Sequence, residues 1–151
     1  MQRSIAYKNS LSDLLWIALF GIYIALSSIY LIFPPMLAVI GFFYYKALRR
    51  YDLFSVIVAS IMLLMFEAEK GYWFASSIVY FTLICQYVMP KLEQTVQSQM
   101  GIKAIFVLFS YFGFSFFLGM ANSVLILPLP SMDWHVIFYM AIEFALIAIF
   151  G

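Results

Sequence analysis

The chain has 151 residues, 66% of them hydrophobic and 10% charged, with a mean hydropathy of +1.03. A soluble globular domain carries roughly 25% charged residues, so this chain has too little polar side chain to cover a water-exposed surface. Its net charge of +1 makes no case for nucleic-acid binding, and a single cysteine, Cys85, excludes an internal disulfide.

A membrane-spanning helix needs about 20 apolar residues. Six segments are predicted as helices. The first, 14–33, follows a basic start like that of a signal peptide. Its apolar run exceeds the about 7–15 residues of a cleavable signal, so it is expected to be retained. Pro34 and Pro35 end it, because proline lacks the N–H and clashes with the preceding turn. The second, 36–48, is short, and Lys46 is placed to snorkel from its end. The third covers 53–68. The fourth, 72–89, is expected to stop at Pro90. The fifth covers 103–126 and the sixth 134–150. The expected fold class is all-α: a polytopic membrane helix bundle, one integral membrane domain over 1–151.

Charge sets the expected orientation, since cytoplasmic loops collect Lys and Arg. With the N-terminus inside, six crossings place Arg3, Lys8, Lys46, Arg49, Arg50, Lys91 and Lys103 on the cytoplasmic side. That is seven of the eight basic residues, with Lys70 left outside. The C-terminus is then also inside. In the inner connection "PKLEQTVQSQMGIK", Leu92, Val96 and Met100 recur every four residues. Either a short helix lies on the inner surface there, or the loop is polar with three apolar residues.

Small residues four apart allow helices to approach closely in lipid. The fifth segment offers Ser115, Gly119 and Ser123, the first Gly21 and Ala25, the third Ser55 and Ala59. These are read as packing faces within the bundle. Cys85, inside an apolar run, reads as a small core residue.

The ionisable residues are few. Glu143 falls midway along the sixth segment, and His135, Tyr139 and Glu143, four apart, share one face. Counting from a loop centred near Pro130 places Glu143 level with Phe117, between Ser115 and Gly119. A hydrogen bond to Ser115 or to a backbone carbonyl is therefore expected. Glu143 reads either as a proton or cation site or as a buried residue that fixes helix register. The second reading is preferred, because no other acid lies in that helix. His135, beside Trp134, reads as interfacial. Glu67 and Glu69 end the third segment on the outer side. Two apart, they lie on different faces, so only Glu67 and Lys70 are expected to pair, with Gly71 as the helix stop. Either this is a solvated turn with a weak ion pair, or Glu67, just under the surface, binds something in the bundle mouth.

No paired-carboxylate, metal-cluster or Gly-rich phosphate motif is present, so neither enzyme activity nor a cofactor is expected. Residues 33–88, "FPPMLAVIGFFYYKALRRYDLFSVIVASIMLLMFEAEKGYWFASSIVYFTLICQYV", resemble the MreD family, the small membrane subunit of the bacterial rod-shape system. The shared features are a proline-led apolar segment ending in a basic turn and a third helix ending in an acid. A glycine-containing turn and a long fourth helix follow. Glu67 stands where that family keeps an aspartate. The resemblance implies a six-helix fold similar to the substrate-binding subunit of energy-coupling-factor transporters. It also implies MreC-like, RodA-like and class B penicillin-binding protein partners in the bacterial inner membrane. The functional expectation is a non-catalytic scaffold for cell elongation and peptidoglycan synthesis. The alternative is a small-solute-binding transporter subunit, for which Glu67, Glu69, Tyr72, Asp133 and His135 would supply the outer polar groups.

Overall fold

The computed structural model describes residues 15, 18–27, 29, 34–124 and 133–151. Among them the chain is all-helical, with six helices and no strand. Helix α1 is Ala18–Ser27; the rest of the predicted first segment, apart from residues 15 and 29, lies outside the described residues. Helix α2 is Leu37–Arg49 and α3 is Leu53–Lys70. Helix α4 covers 76–95, α5 is Gln99–Asn122 and α6 is His135–Phe150. Of these, α5 alone meets both the length and the apolarity of a membrane span by itself, while α1 and α6 carry shorter apolar stretches.

Local chemistry explains most boundaries. Asp52 caps α3, accepting from the Phe54 N–H at 3.2 Å and the Ser55 hydroxyl at 2.6 Å. Gly71, at φ 69°, ends α3 in the left-handed conformation that glycine adopts without penalty. The Tyr72 N–H then returns to the Glu67 carbonyl at 3.1 Å.

Three predicted boundaries are corrected: α5 begins at Gln99 rather than 103, where the Ser98 hydroxyl accepts from the Gly101 N–H at 3.4 Å, and the other two belong to α4. Helix α4 begins at Ser76 rather than 72, after Ala75 at φ 63°. It also runs past Pro90 to Thr95. Proline ordinarily clashes with the carbonyl four residues earlier, here that of Gln86. Ile84–Val88 form a π-helical turn, whose wider i→i+5 pattern relieves that clash. Of the two readings left open for Leu92, Val96 and Met100, neither a separate inner-surface helix nor a long polar loop is formed. Leu92 belongs to the end of α4, Val96 to the break at 96–98, and Met100 to the first turn of α5.

Helices α2, α4 and α6 run side by side in one direction. Ala38 meets Glu143 and Lys46 meets Gly151, both at a separation of 105 residues. Tyr44 and Thr82 hydrogen-bond through their hydroxyls at 2.9 Å, Gly41 packs on the Phe81 ring, and Arg49 pairs with Glu93. Positions therefore rise together along α2 and α4. Glu143 is the ninth residue of α6, so α2 starts about 12 Å below the start of α6 at 1.5 Å per residue. The core at this level is aromatic. Phe81 stacks on Phe106 with centroids 6.1 Å apart, and Phe42 meets Phe106 edge-on at 5.6 Å. On the outside, all six helices present large apolar side chains: Ile22, Phe43, Ile57, Leu83, Phe116 and Ile137.

Candidate functional site: two buried carboxylates at helix N-termini

Helices α2 and α4 share a defect at their starts. Each begins after a non-glycine residue in the left-handed region, Met36 at φ 55° and Ala75 at φ 63°. Neither Met36 nor Ala75 has a side chain that can cap, although the first N–H groups of a helix have no intrahelical acceptor. Two buried glutamates from other helices supply the acceptors.

Glu143, fully buried, projects from α6 to the start of α2. Its Oε2 accepts from the Ala38 N–H at 2.7 Å and the Val39 N–H at 3.3 Å, and its Oε1 accepts from the Tyr111 hydroxyl of α5. The expected bond to Ser115 or to a backbone carbonyl is not formed. A carboxylate needs donors, and the exposed amides of α2 provide them where a carbonyl cannot. The equal-distance count also misplaced the depth, because the neighbour on α5 is Tyr111, four residues before Ser115.

Glu67, 2% exposed, turns back from the end of α3 to the start of α4. Its Oε2 accepts from the Ala75 N–H at 2.6 Å, and its Oε1 accepts from the Ser76 hydroxyl at 3.1 Å and from both the N–H and the hydroxyl of Ser77. Glu67 does not pair with Lys70 as expected, because its side chain points inward. The ammonium of Lys70 lies instead 3.4 Å from Glu69 Oε1. Among the described residues, that Glu69 oxygen is the one buried side-chain polar atom without a hydrogen bond. Negative charge at a helix N-terminus is favoured by the peptide dipoles as well as by the N–H groups. The two acids therefore act as caps supplied across the bundle.

The other predicted site residues fall apart in space. His135 is exposed at the start of α6, its ring tilted against Tyr139 with centroids 6.4 Å apart. Gly21 lies against α3, where an added Cβ would come 2.9 Å from Met65 Cε. Ala59 is buried in the core, while Ser55 is held by Asp52. Ala25 and Ser123 are exposed, and Ser115 and Gly119 are half-buried, so these small faces are only partly covered. Cys85 is half-buried against the core.

At the opposite end, Glu93 ties α4 to α2. It accepts from Arg49 and from the Tyr45 hydroxyl, and Arg49 lies over the Tyr45 ring at 5.7 Å. Ser55, with help from the Phe54 N–H and Arg50, holds the exposed Asp52 carboxyl below its ordinary range.

Sequence reasoning missed Tyr111, Ser76 and Ser77. The serines carried a usable signal, since adjacent Ser residues before an apolar run mark a helix start. For α2 the signal was negative: a helix after "PPM" has no local cap and needs an acceptor from elsewhere. No family model, curated protein or solved structure matches this chain.

Proposed function

We propose that this chain is a multi-pass membrane protein of the bacterial inner membrane with a non-catalytic, scaffolding role in cell elongation. The membrane reading is supported by the composition and by the large apolar side chains that all six helices turn outward. A soluble monomer ordinarily keeps most of its large apolar side chains inside, whereas here each helix leaves some exposed. Within a bilayer, the 13 residues of α2 rise about 20 Å, less than the roughly 30 Å hydrocarbon core. Helix α2 is then a half-helix whose N-terminus sits at depth, a place where free amides must be satisfied by protein. Glu143 meets that need.

The observation that carries the scaffold role is that both buried glutamates have each oxygen bound by donors of the chain itself. Such acids hold helices in register and present no free oxygen to a substrate. A solute-binding subunit would want Glu67 open to the outer mouth, and its oxygens are instead taken up by α4. The resemblance of residues 33–88 to the rod-shape subunit directs the proposal to cell elongation. Affinity purification from membranes in mild detergent is expected to recover MreC-like or RodA-like partners, and deletion is expected to round rod-shaped cells. Recovery of the chain alone, together with normal rods after deletion, would sink the proposal.

A further inference from the structure

A cavity of about 630 Å³ lies between α2 and α6 at the end where Arg50 and Gly151 sit. Its volume is within the range of ligand-sized pockets. One face of α2 forms its long wall, through Met36, Val39, Phe43, Lys46 and Arg50, spaced three or four residues apart. From Met36 to Arg50 that wall is about 21 Å long at helical rise. Leu146 and Ile147 of α6 face it. The groove is thus apolar along its length and cationic at one end.

The cations at that end have donors to spare. Arg50 is exposed and makes no ion pair or side-chain hydrogen bond among the described residues. Lys46 gives one hydrogen bond to the Gly151 carbonyl at 2.6 Å and lies 5.5 Å from the Phe42 ring centre. An ammonium has three donors, so two remain. Asp52 also lines this end, but its two oxygens accept from Phe54 and Ser55 of its own helix. Among the side chains lining the groove, Lys46 and Arg50 outweigh the Asp52 carboxylate by one positive charge, at the end that the orientation of basic residues assigns to the cytoplasm.

We propose that this groove holds one anionic phospholipid, with the phosphate against Arg50 and Lys46 and an acyl chain along Val39, Phe43 and Ile147. The match is one of both shape and charge. A groove that is only apolar accepts any lipid tail, whereas basic side chains at the cytoplasmic end select an anionic headgroup. The inference rests on the membrane reading above, so the two are tested apart: resistance of the chain to alkaline extraction from membranes reports the first alone.

For the lipid, the full chain in detergent is exposed to equal phosphatidylglycerol and phosphatidylcholine with identical acyl chains, and bound lipid is counted by native mass spectrometry. One phosphatidylglycerol is expected to be retained in preference. Arg50→Gln is expected to lower that preference about fivefold, the effect of one basic residue at an anionic surface. Lys91→Gln, an exposed basic residue away from the groove, is expected to leave it unchanged. Equal retention of the two lipids, equal effects of the two substitutions, or a chain that resists alkaline extraction from membranes yet retains no lipid would each overturn the proposal.

Discussion

Glu143 is buried among apolar residues, where an isolated charge is expensive. What holds it there is the set of donors around it: two amides of α2 and one tyrosine hydroxyl. Acceptor geometry then matters more than charge. In Glu143→Gln, one oxygen still serves Ala38 and Val39, and the new amide can donate to the Tyr111 oxygen. Its cost is expected to be about 1 kcal/mol or less. In Glu143→Leu the two amides are stranded, at about 1–3 kcal/mol for each unsatisfied group. Thermal unfolding in detergent should therefore place Gln near the parent and Leu well below it, by several degrees. Equal destabilisation by Gln and Leu would show that the charge, not the pattern of acceptors, is what α2 requires. The same logic ranks Glu67→Gln above Glu67→Ala, with the bare N-terminus of α4 as the consequence of the alanine.

At the scale of the helix, two π-helical turns adjust the bundle. The one at Ile84–Val88 lets α4 continue through Pro90. The one at Phe109–Gly113 brings Tyr111 to Glu143 and aligns α5 with α4. There the Tyr80 hydroxyl donates to the Phe109 carbonyl at 2.6 Å and fills the space beside Gly113. A methyl group at 113 would overlap that hydroxyl, so glycine is required by close approach and not by its backbone angle. Gly113→Ala is expected to cost about 1–3 kcal/mol, as overpacking does. In a Tyr80→Phe background the obstructing oxygen is gone, and the same substitution is expected to cost less by about 1 kcal/mol. Unfolding midpoints of the four proteins check this. Additive costs would mean that the contact between Gly113 and Tyr80 is not the constraint.

For the whole molecule, the orientation deduced from basic residues is a claim about which ends share a side. The turn at Tyr51, 92% exposed, belongs to the end with Arg49, Arg50 and Glu93, and Phe74, 77% exposed, lies in the turn between α3 and α4. With Cys85→Ala as background, Tyr51→Cys and Phe74→Cys are expected to differ in labelling by an impermeant thiol reagent added to intact cells. Phe74→Cys should react, and Tyr51→Cys only after the cells are opened. Reaction of both in intact cells would rule out the proposed six crossings.

How much of this was readable beforehand follows from the range of each interaction. The apolar runs, the stop at Gly71 and the start of α3 are local, and local chemistry placed them to within a few residues. Pro90 misled because its effect depends on a carbonyl whose position the π-helical turn had already changed. Glu67 stands out in the sequence because an acid beside an apolar helix is rare, but rarity does not say where a side chain points. Its inward turn depends on Ala75, Ser76 and Ser77 arriving beneath it.

The amino-acid sequence by itself determined that the protein is helical, that it is apolar enough for a membrane, and that very few of its residues carry charge. Those properties are sums over residues or patterns within one helix. Only the tertiary structure decided what the two buried acids do. Their donors lie on other helices, 105 residues away for Glu143 and across a left-handed turn for Glu67, and no local pattern encodes such a meeting. The need arises because a helix that starts inside a bundle must find an acceptor for its first amides. The fold met it twice with a glutamate from a neighbouring helix.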